Sequence, residues 1–325
     1  MGRLAISLAC TVSDRTRPIL DGRVAVEGCD VTGLPGEPED IFFRALRHGE
    51  FDVSELSFSS YLVVSSRGQS PYIGVPVFLS RAFRHSAIYI RTDRGIETPQ
   101  DLKGRLVGTP EFQQTAALWV RGILADEYGV KASDIRWCQG GLEAPKQGER
   151  VPLTLPAEIE YQAVAADKTL SGMLAAGEID AIVSPRVPSC VAAGTAPVGR
   201  LFPDYRAAEE TYFRKTGFFP IMHLVGVRRD LAERHPWLAA NVFRAFVKAK
   251  AMAMQDLAQI NALRVTLPWV GDDVARVQAV MGPDYWRYGV NENRAEIEAL
   301  VRYAAEQHLT ARPLTLEELF AAATI

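Results

Sequence analysis

An α/β fold of two lobes is what this sequence predicts, and three observations carry the prediction. The chain has 325 residues, long for one hydrophobic core and suited to two compact lobes. From Leu4 to Val227, apolar runs of strand length alternate with helical segments, and beyond them the pattern is helical only; this alternation belongs to a largely parallel sheet with crossover helices. Finally, the stretch from Ser80 to Gln114 holds in order a basic cluster (Arg81, Arg84, His85), an apolar strand, a short capped helix, a second strand and the start of a long helix. That first strand reads as a crossing between lobes. A basic cluster on one side and a helix N-terminus on the other are both ways of holding an anion.

Leu4 to Ala9 reads as the first strand, followed by the polar loop Thr11 to Arg17. Val24 to Val31 is the second strand, and Pro35 to Asp40 a turn leading into a helix over Ile41 to His48, stopped by Gly49. Phe51 to Leu56 is the third strand. It ends in Ser57-Phe58-Ser59-Ser60, small hydroxyl residues suited both to capping a helix and to meeting a ligand. Val75 to Phe78 and Ala87 to Ile90 are the next strands. Thr98-Pro99-Gln100-Asp101 is a capping box with proline at the first helical position. Leu106 to Gly108 is a strand, and Thr109-Pro110 repeats the cap signature, predicting a helix to Tyr128 that ends at Gly129. Gln139 to Pro156, rich in glycine and proline, is a long surface loop placed as a lid over the cleft. Ile159 to Val164, Ile179 to Ser184 and Ile221 to Val227 follow as strands, with helices over Asp167 to Ala176 and Asp204 to Lys215. Four helices close the chain, over Pro236 to Gln259, Asp272 to Met281, Asn293 to His308 and Leu316 to Ala323.

Composition narrows the function. The net charge of −3 offers no general basic field for nucleic acid, and no apolar run approaches the ~20 residues that span a bilayer. Of 36 basic residues 29 are arginine, the better side chain for bidentate recognition of carboxylates. Cys10, Cys29, Cys138 and Cys190 form no metal-binding or redox spacing and read as thiols of a reducing compartment. The N-terminal MGRLAISLAC is too short in its apolar run for a secretory signal, so the expected location is the cytoplasm. HExxH, GxGxxG, the phosphate-binding GxxxxGK[ST] and GxSxG are absent.

The run DLKGRLVGT (101–109), then GEIDAIVSP (177–185) and VGVRRDLAERHPWLAANVFRAFVKA (225–249), resemble landmarks of type 2 periplasmic-binding proteins. The resemblance implies a ligand cleft between a first lobe of residues 1–90 plus 220–325 and a second of 91–219, hinged near 87–92 and 217–225. Within that fold, ELSFSSYL (55–62), SRAFRHSAIYI (80–90) and GFFPIMH (217–223) resemble the 4,5-dihydroxyphthalate decarboxylase family. Membership would imply a cytoplasmic carboxy-lyase that removes one carboxylate from a dihydroxylated aromatic diacid without a cofactor. Two alternatives stay open: a solute-binding protein for an aromatic or sulfonated acid, and a related cytoplasmic lyase on another aromatic acid.

Five histidines are present. His48, His235 and His308 fall at expected helix C-termini, where an imidazole favours the dipole. His85 and His223 lie beside the two crossing strands and are the candidate acid–base pair, with the roles of acid and base unassigned. Arg81, Arg84 and Arg186 are candidate carboxylate holders, Arg294 a further one at a helix start. Ser57, Ser59, Ser60 and Gln113 are candidate neutral hydrogen-bonding groups. Glu111 reads either as a group acting on a phenol or as a first-turn acid complementing the helix dipole. A metal held by His85, His223 and Glu111 has no spacing signature, and none is expected. Trp119, Trp137, Trp269 and Trp286 are expected in the core or between lobes. The helical C-terminal third offers surface for a homo-oligomer.

Overall fold

The computed structural model describes residues 2–146, 148–194 and 196–325. In chain order its elements are β1 (Leu4–Cys10), α1 (Arg17–Leu20), β2 (Cys29–Pro35), α2 (Pro38–His48), β3 (Val53–Ser57), α3 (Phe58–Ser66), β4 (Tyr72–Arg81), β5 (Ile88–Arg91), β6 (Leu106–Thr109), α4 (Thr115–Tyr128), β7 (Arg136–Gln139), β8 (Tyr161–Ala163), α5 (Leu170–Ala176), β9 (Ala181–Val183), α6 (Ser189–Ala193), β10 (Val198–Arg200), α7 (Tyr205–Thr216), β11 (Ile221–Arg228), α8 (Arg229–Arg234), α9 (Leu238–Leu257), α10 (Val270–Met281), α11 (Arg294–Glu306) and α12 (Leu316–Leu319). Two sheets organise them. One runs in the order β2-β1-β3-β11-β4, the other β10-β5-β9-β6-β7-β8. In the first, β1 pairs in parallel with β2 and β3, and β11 returns antiparallel between β3 and β4. The chain passes between the sheets twice, from β4 into β5 and from α7 into β11.

Three local outcomes differ from the sequence reading, each for a physical reason. Val24 and Val26 are buried, but the chain turns at Gly28 (φ 78°) before it pairs with β1, so β2 starts at Cys29. Thr109-Pro110 does not start a helix; α4 begins at Thr115. The Phe112 and Gln113 N–H groups donate instead to the Glu149 carboxylate, at 2.6 and 3.2 Å, so a side chain satisfies them where a helix turn was expected. Trp119, Trp137 and Trp286 are inside or partly covered, but Trp269 is 72% exposed.

Helix α4 ties the two halves together. Its Trp119 indole donates to the Ile221 carbonyl at the start of β11 (2.9 Å), and Arg121 donates to Gln307 beyond α11 (2.6 Å). Asp126 accepts from Arg302 and from the Tyr303 hydroxyl, both at 2.6 Å. Gly122 lets α11 approach so closely that a Cβ there would overlap the Tyr303 ring. One hydrophobic core accordingly runs through both sheets, with a smaller cluster beneath α5 and α6. Replacing Gly122 by valine is expected to cost about 1–3 kcal/mol of stability by overpacking, read as a lowered midpoint in urea unfolding.

Candidate active site

A cleft of about 180 Å³ opens where the two sheets face each other, and Ser57, Ser80, Arg84, Thr115, Arg150, Arg186 and His223 are among its lining residues. It lies at the carboxyl end of β3 and at the N-terminus of α4, where α/β sheets place their ligands. The volume is below the usual range for drug-sized ligands and suits a single small ring.

At its floor is a buried carboxylate paired with a histidine. Glu55 sits within β3, whose five residues are all buried. Its Oε1 lies 2.6 Å from His223 Nδ1, and its Oε2 accepts from the Thr11 N–H at 2.7 Å. Burial pushes the Glu55 carboxyl up. The hydrogen bond and charge of His223 outweigh this, with help from the Thr11 N–H, and hold it below the usual carboxylate range. The β4–β11 ladder is irregular on both sides of His223; such bulges re-aim a side chain. Phe42 of α2 packs edge-on against the imidazole (centroids 4.7 Å apart, planes at 77°). With Nδ1 committed to Glu55, Nε2 is the nitrogen left for a ligand.

Cationic and polar groups surround this pair. Arg84 is half-buried, and among the described residues no carboxylate lies within ion-pair distance of it; its Nε donates to Met222 Sδ at 3.2 Å. Burial lowers its pKa to about 10, which leaves it cationic at neutral pH. Arg150 lies over the Phe42 ring (5.4 Å) and 3.4 Å from Glu111. Arg186 stands at the mouth, joined to Glu39 of α2 at 3.2 Å. The Ser57 and Thr115 hydroxyls are 3.0 Å apart, and the fourteen-residue α4 has no side-chain cap at its Gln114 N-terminus, where free N–H groups favour an anion.

Several candidate residues from the sequence lie elsewhere. His85 is 2% exposed and boxed in by Phe202, Tyr212 and Tyr128 (5.1, 5.3 and 6.4 Å), with Nδ1 unbonded; it does not line the cleft. Arg81 is buried against Glu296 of α11 at 3.1 Å and donates to the Phe219 and Arg287 carbonyls. Its two terminal nitrogens are thus occupied by the scaffold. Glu111 is buried and ion-paired with Lys146 (2.8 Å) and Arg150, which makes it an anchor for the loop that carries Arg150. Ser59 and Ser60 are fully buried and bond the Gln113 carbonyl and side chain, while the Gln113 amide donates to the Val151 carbonyl. These three fasten α3 to the segment before α4. Arg294 is exposed and 3.6 Å from Glu298, away from the cleft. Of the candidates, His223, Arg84, Arg186 and Ser57 meet.

The sequence reading missed Glu55, Arg150, Ser80 and Thr115 as lining or supporting groups of the cleft. Glu55 carried a readable signal: an acid in a five-residue stretch otherwise limited to valine, leucine and serine, Val53 to Ser57. Arg150 carried none, since it comes from a loop without periodicity. Among the described residues no group of three or more His, Cys, Asp or Glu is arranged to hold a metal.

In solved structures the same fold recurs in the periplasmic aliphatic sulphonate binding protein SsuA of Escherichia coli (TM-score 0.55, 13% identity, 98% of this chain and 97% of that one). It recurs also in SsuA of Methylobacillus flagellatus (0.59, 12%, 98% and 92%) and in the desulfurization enzyme DszB (0.53, 13%, 98% and 96%). No family model matches the chain. Fold and cleft together therefore define a periplasmic-binding-protein-like α/β protein with a carboxylate–histidine pair beside an arginine-lined cleft. The chain belongs to the 4,5-dihydroxyphthalate decarboxylase family. It is 45% identical to the Comamonas testosteroni member across all of this chain and 98% of that one, and 47% identical to the Pseudomonas putida member over 218 residues, 67% of this chain and 84% of that one.

His85 makes a pH prediction. Burial lowers its folded pKa to about 4 from 6.5. Below pH 6.5 the unfolded state binds a proton that the native state refuses, so stability is full above that pH and is lost as pH falls toward 4. The loss reaches about 3 kcal/mol. Urea unfolding between pH 7 and 4 should show it, and His85→Phe should remove that part of the pH dependence.

Proposed function

We propose that this protein converts 4,5-dihydroxyphthalate to protocatechuate and CO2 without a cofactor, by protonating the ring carbon that bears the departing carboxylate. The Glu55–His223 pair facing an arginine-lined cleft is the observation that carries the reading, and the family supplies the substrate. Direct loss of CO2 from an aryl carboxylate leaves an aryl anion. Protonation at that carbon avoids it, and each hydroxyl of this substrate is para to a carboxylate, so it can push electrons to the carbon being protonated. In this reading His223, as imidazolium stabilised by Glu55, is the general acid. Arg84 and Arg150 hold the carboxylates, and Ser57, Ser80 and Thr115 receive the hydroxyl end. The C–C bond then breaks with its electron pair returning to the ring, CO2 leaves uncharged, and the imidazole regains one proton from water.

A cytoplasmic location belongs to the same proposal, as does self-association. No helix among the described residues is long and apolar enough to cross a membrane. Every group assigned a role comes from one chain.

Incubation of the purified protein with 4,5-dihydroxyphthalate should release one CO2 per protocatechuate formed and, in D2O, leave one deuterium on the product ring. His223→Gln should lower kcat at least ~100-fold, the scale of a lost acid–base group. Arg84→Gln should chiefly raise KM, while His85→Phe should leave turnover near that of the wild type. Tight binding of the diacid without CO2 release would instead make the protein a solute binder.

A further inference from the structure

The three arginines that line the cleft are not equivalent. Arg150 faces Glu111 at 3.4 Å, and the two side chains are 9% and 3% exposed. Arg186 faces Glu39 at 3.2 Å at the mouth. Glu111 also meets Lys146, but the lysine side chain is 51% exposed, so water and salt screen its charge. Arg84 differs: among the described residues no carboxylate lies within ion-pair distance of it, and its Nε donates to Met222 Sδ. Glu209, the acid whose charge reaches it, accepts from the Ser86 N–H and hydroxyl instead. A second difference concerns His223. Phe42 packs edge-on against the imidazole and also lies beneath the Arg150 guanidinium. Arg150 and the imidazole thus share one neighbour, and Arg150 stands on the Phe42 side of the ring.

We infer that the cleft holds two unequal carboxylate subsites: Arg84 anchors the carboxylate that stays on the ring, and the Arg150–Glu111 pair receives the one that leaves as CO2. The inference rests on the proposed decarboxylation and assigns its two carboxylates. The reason is electrostatic. As the C–C bond breaks, its electron pair returns to the protonated ring and the charge of the departing carboxylate disappears. An unopposed cation there stabilises bound substrate more than the transition state, and so slows the step. The retained carboxylate keeps its charge throughout. An unopposed cation on it binds substrate and transition state alike, at no cost to the chemistry. Arg84 suits the retained group, and Arg150, opposed by Glu111 and beside the imidazole, suits the departing one. Glu111 is then a positioning residue that acts through Arg150: it holds the guanidinium at the cleft and weakens its field. The product, with one carboxylate left, needs the Arg84 subsite only.

Steady-state kinetics on 4,5-dihydroxyphthalate, with protocatechuate as product inhibitor, test it. Arg84→Gln should raise the inhibition constant of protocatechuate at least ~10-fold, the scale of a lost bond to a charged group. Arg150→Gln should raise KM for the diacid and leave that inhibition constant nearly unchanged. Glu111→Gln should lower KM and kcat together, the pattern of a ground state bound more tightly; a purely structural Glu111 would raise KM or lower kcat alone. If Glu111→Gln does not fold, the two arginine variants decide the matter. Protocatechuate binding weakened equally in both of them, in Arg150→Gln alone or in neither would overturn the inference, as would a folded Glu111→Gln whose KM does not fall. Those results on an enzyme that still releases CO2 count against the subsite assignment alone. A wild type that binds the diacid and releases no CO2 counts against the proposed reaction, and the departing subsite falls with it.

Discussion

The site depends on a single electrostatic constraint: an ionised carboxylate lies inside the central strand of a buried sheet. Glu55 is only 3% exposed, so its charge must be met mainly by protein groups. Its neighbours on both sides supply them, the Thr11 N–H from the end of β1 and His223 from β11. Three adjacent strands are thereby tied through one side chain. Removing one partner of a buried pair leaves an uncompensated charge, typically at a cost of 3–5 kcal/mol, so the pair constrains the fold as well as the chemistry. It also determines which nitrogen of His223 faces the cleft.

Around that pair several contacts join the segments on either side of the cleft. Helix α4 presents its N-terminus to the cleft while its flank is packed against β11 and α11. The loop carrying Arg150 is fastened to Glu111 and, through Arg67 and the Pro152 carbonyl, to the end of α3. Arg186 is held to Glu39 across the mouth. Helix dipole, arginines and imidazole are thus set in place before a ligand arrives, the condition under which electrostatic stabilisation of a developing charge is most effective.

The three basic side chains Arg81, Arg84 and His85 show what could be read and what could not. As a cluster beside a crossing strand they read as anion-holding groups, and of the three Arg84 lines the cleft. Their spacing says nothing about direction. Arg81 ends β4 and is drawn under α11 by Glu296. Arg84 turns into the cleft, and His85, within a short 3-10 turn, points into an aromatic box. Each direction is decided by a partner more than a hundred residues away in the chain or by the turn between the strands. Glu55 shows the converse. Alternating polar residues in a strand ordinarily mark a wet face, and only the cover on both faces of β3 reveals a buried acid.

By itself the sequence determined the α/β class, the positions of most strands and helices, and the place of His223 and Arg84 beside the cleft, because periodicity, capping and side-chain type are local properties. Tertiary structure alone decided that Glu55 is the partner of His223, that Arg150 joins the cleft, and that His85 and Arg81 belong to the scaffold. Those outcomes rest on burial and on contacts between segments far apart in sequence, and no local pattern encodes them.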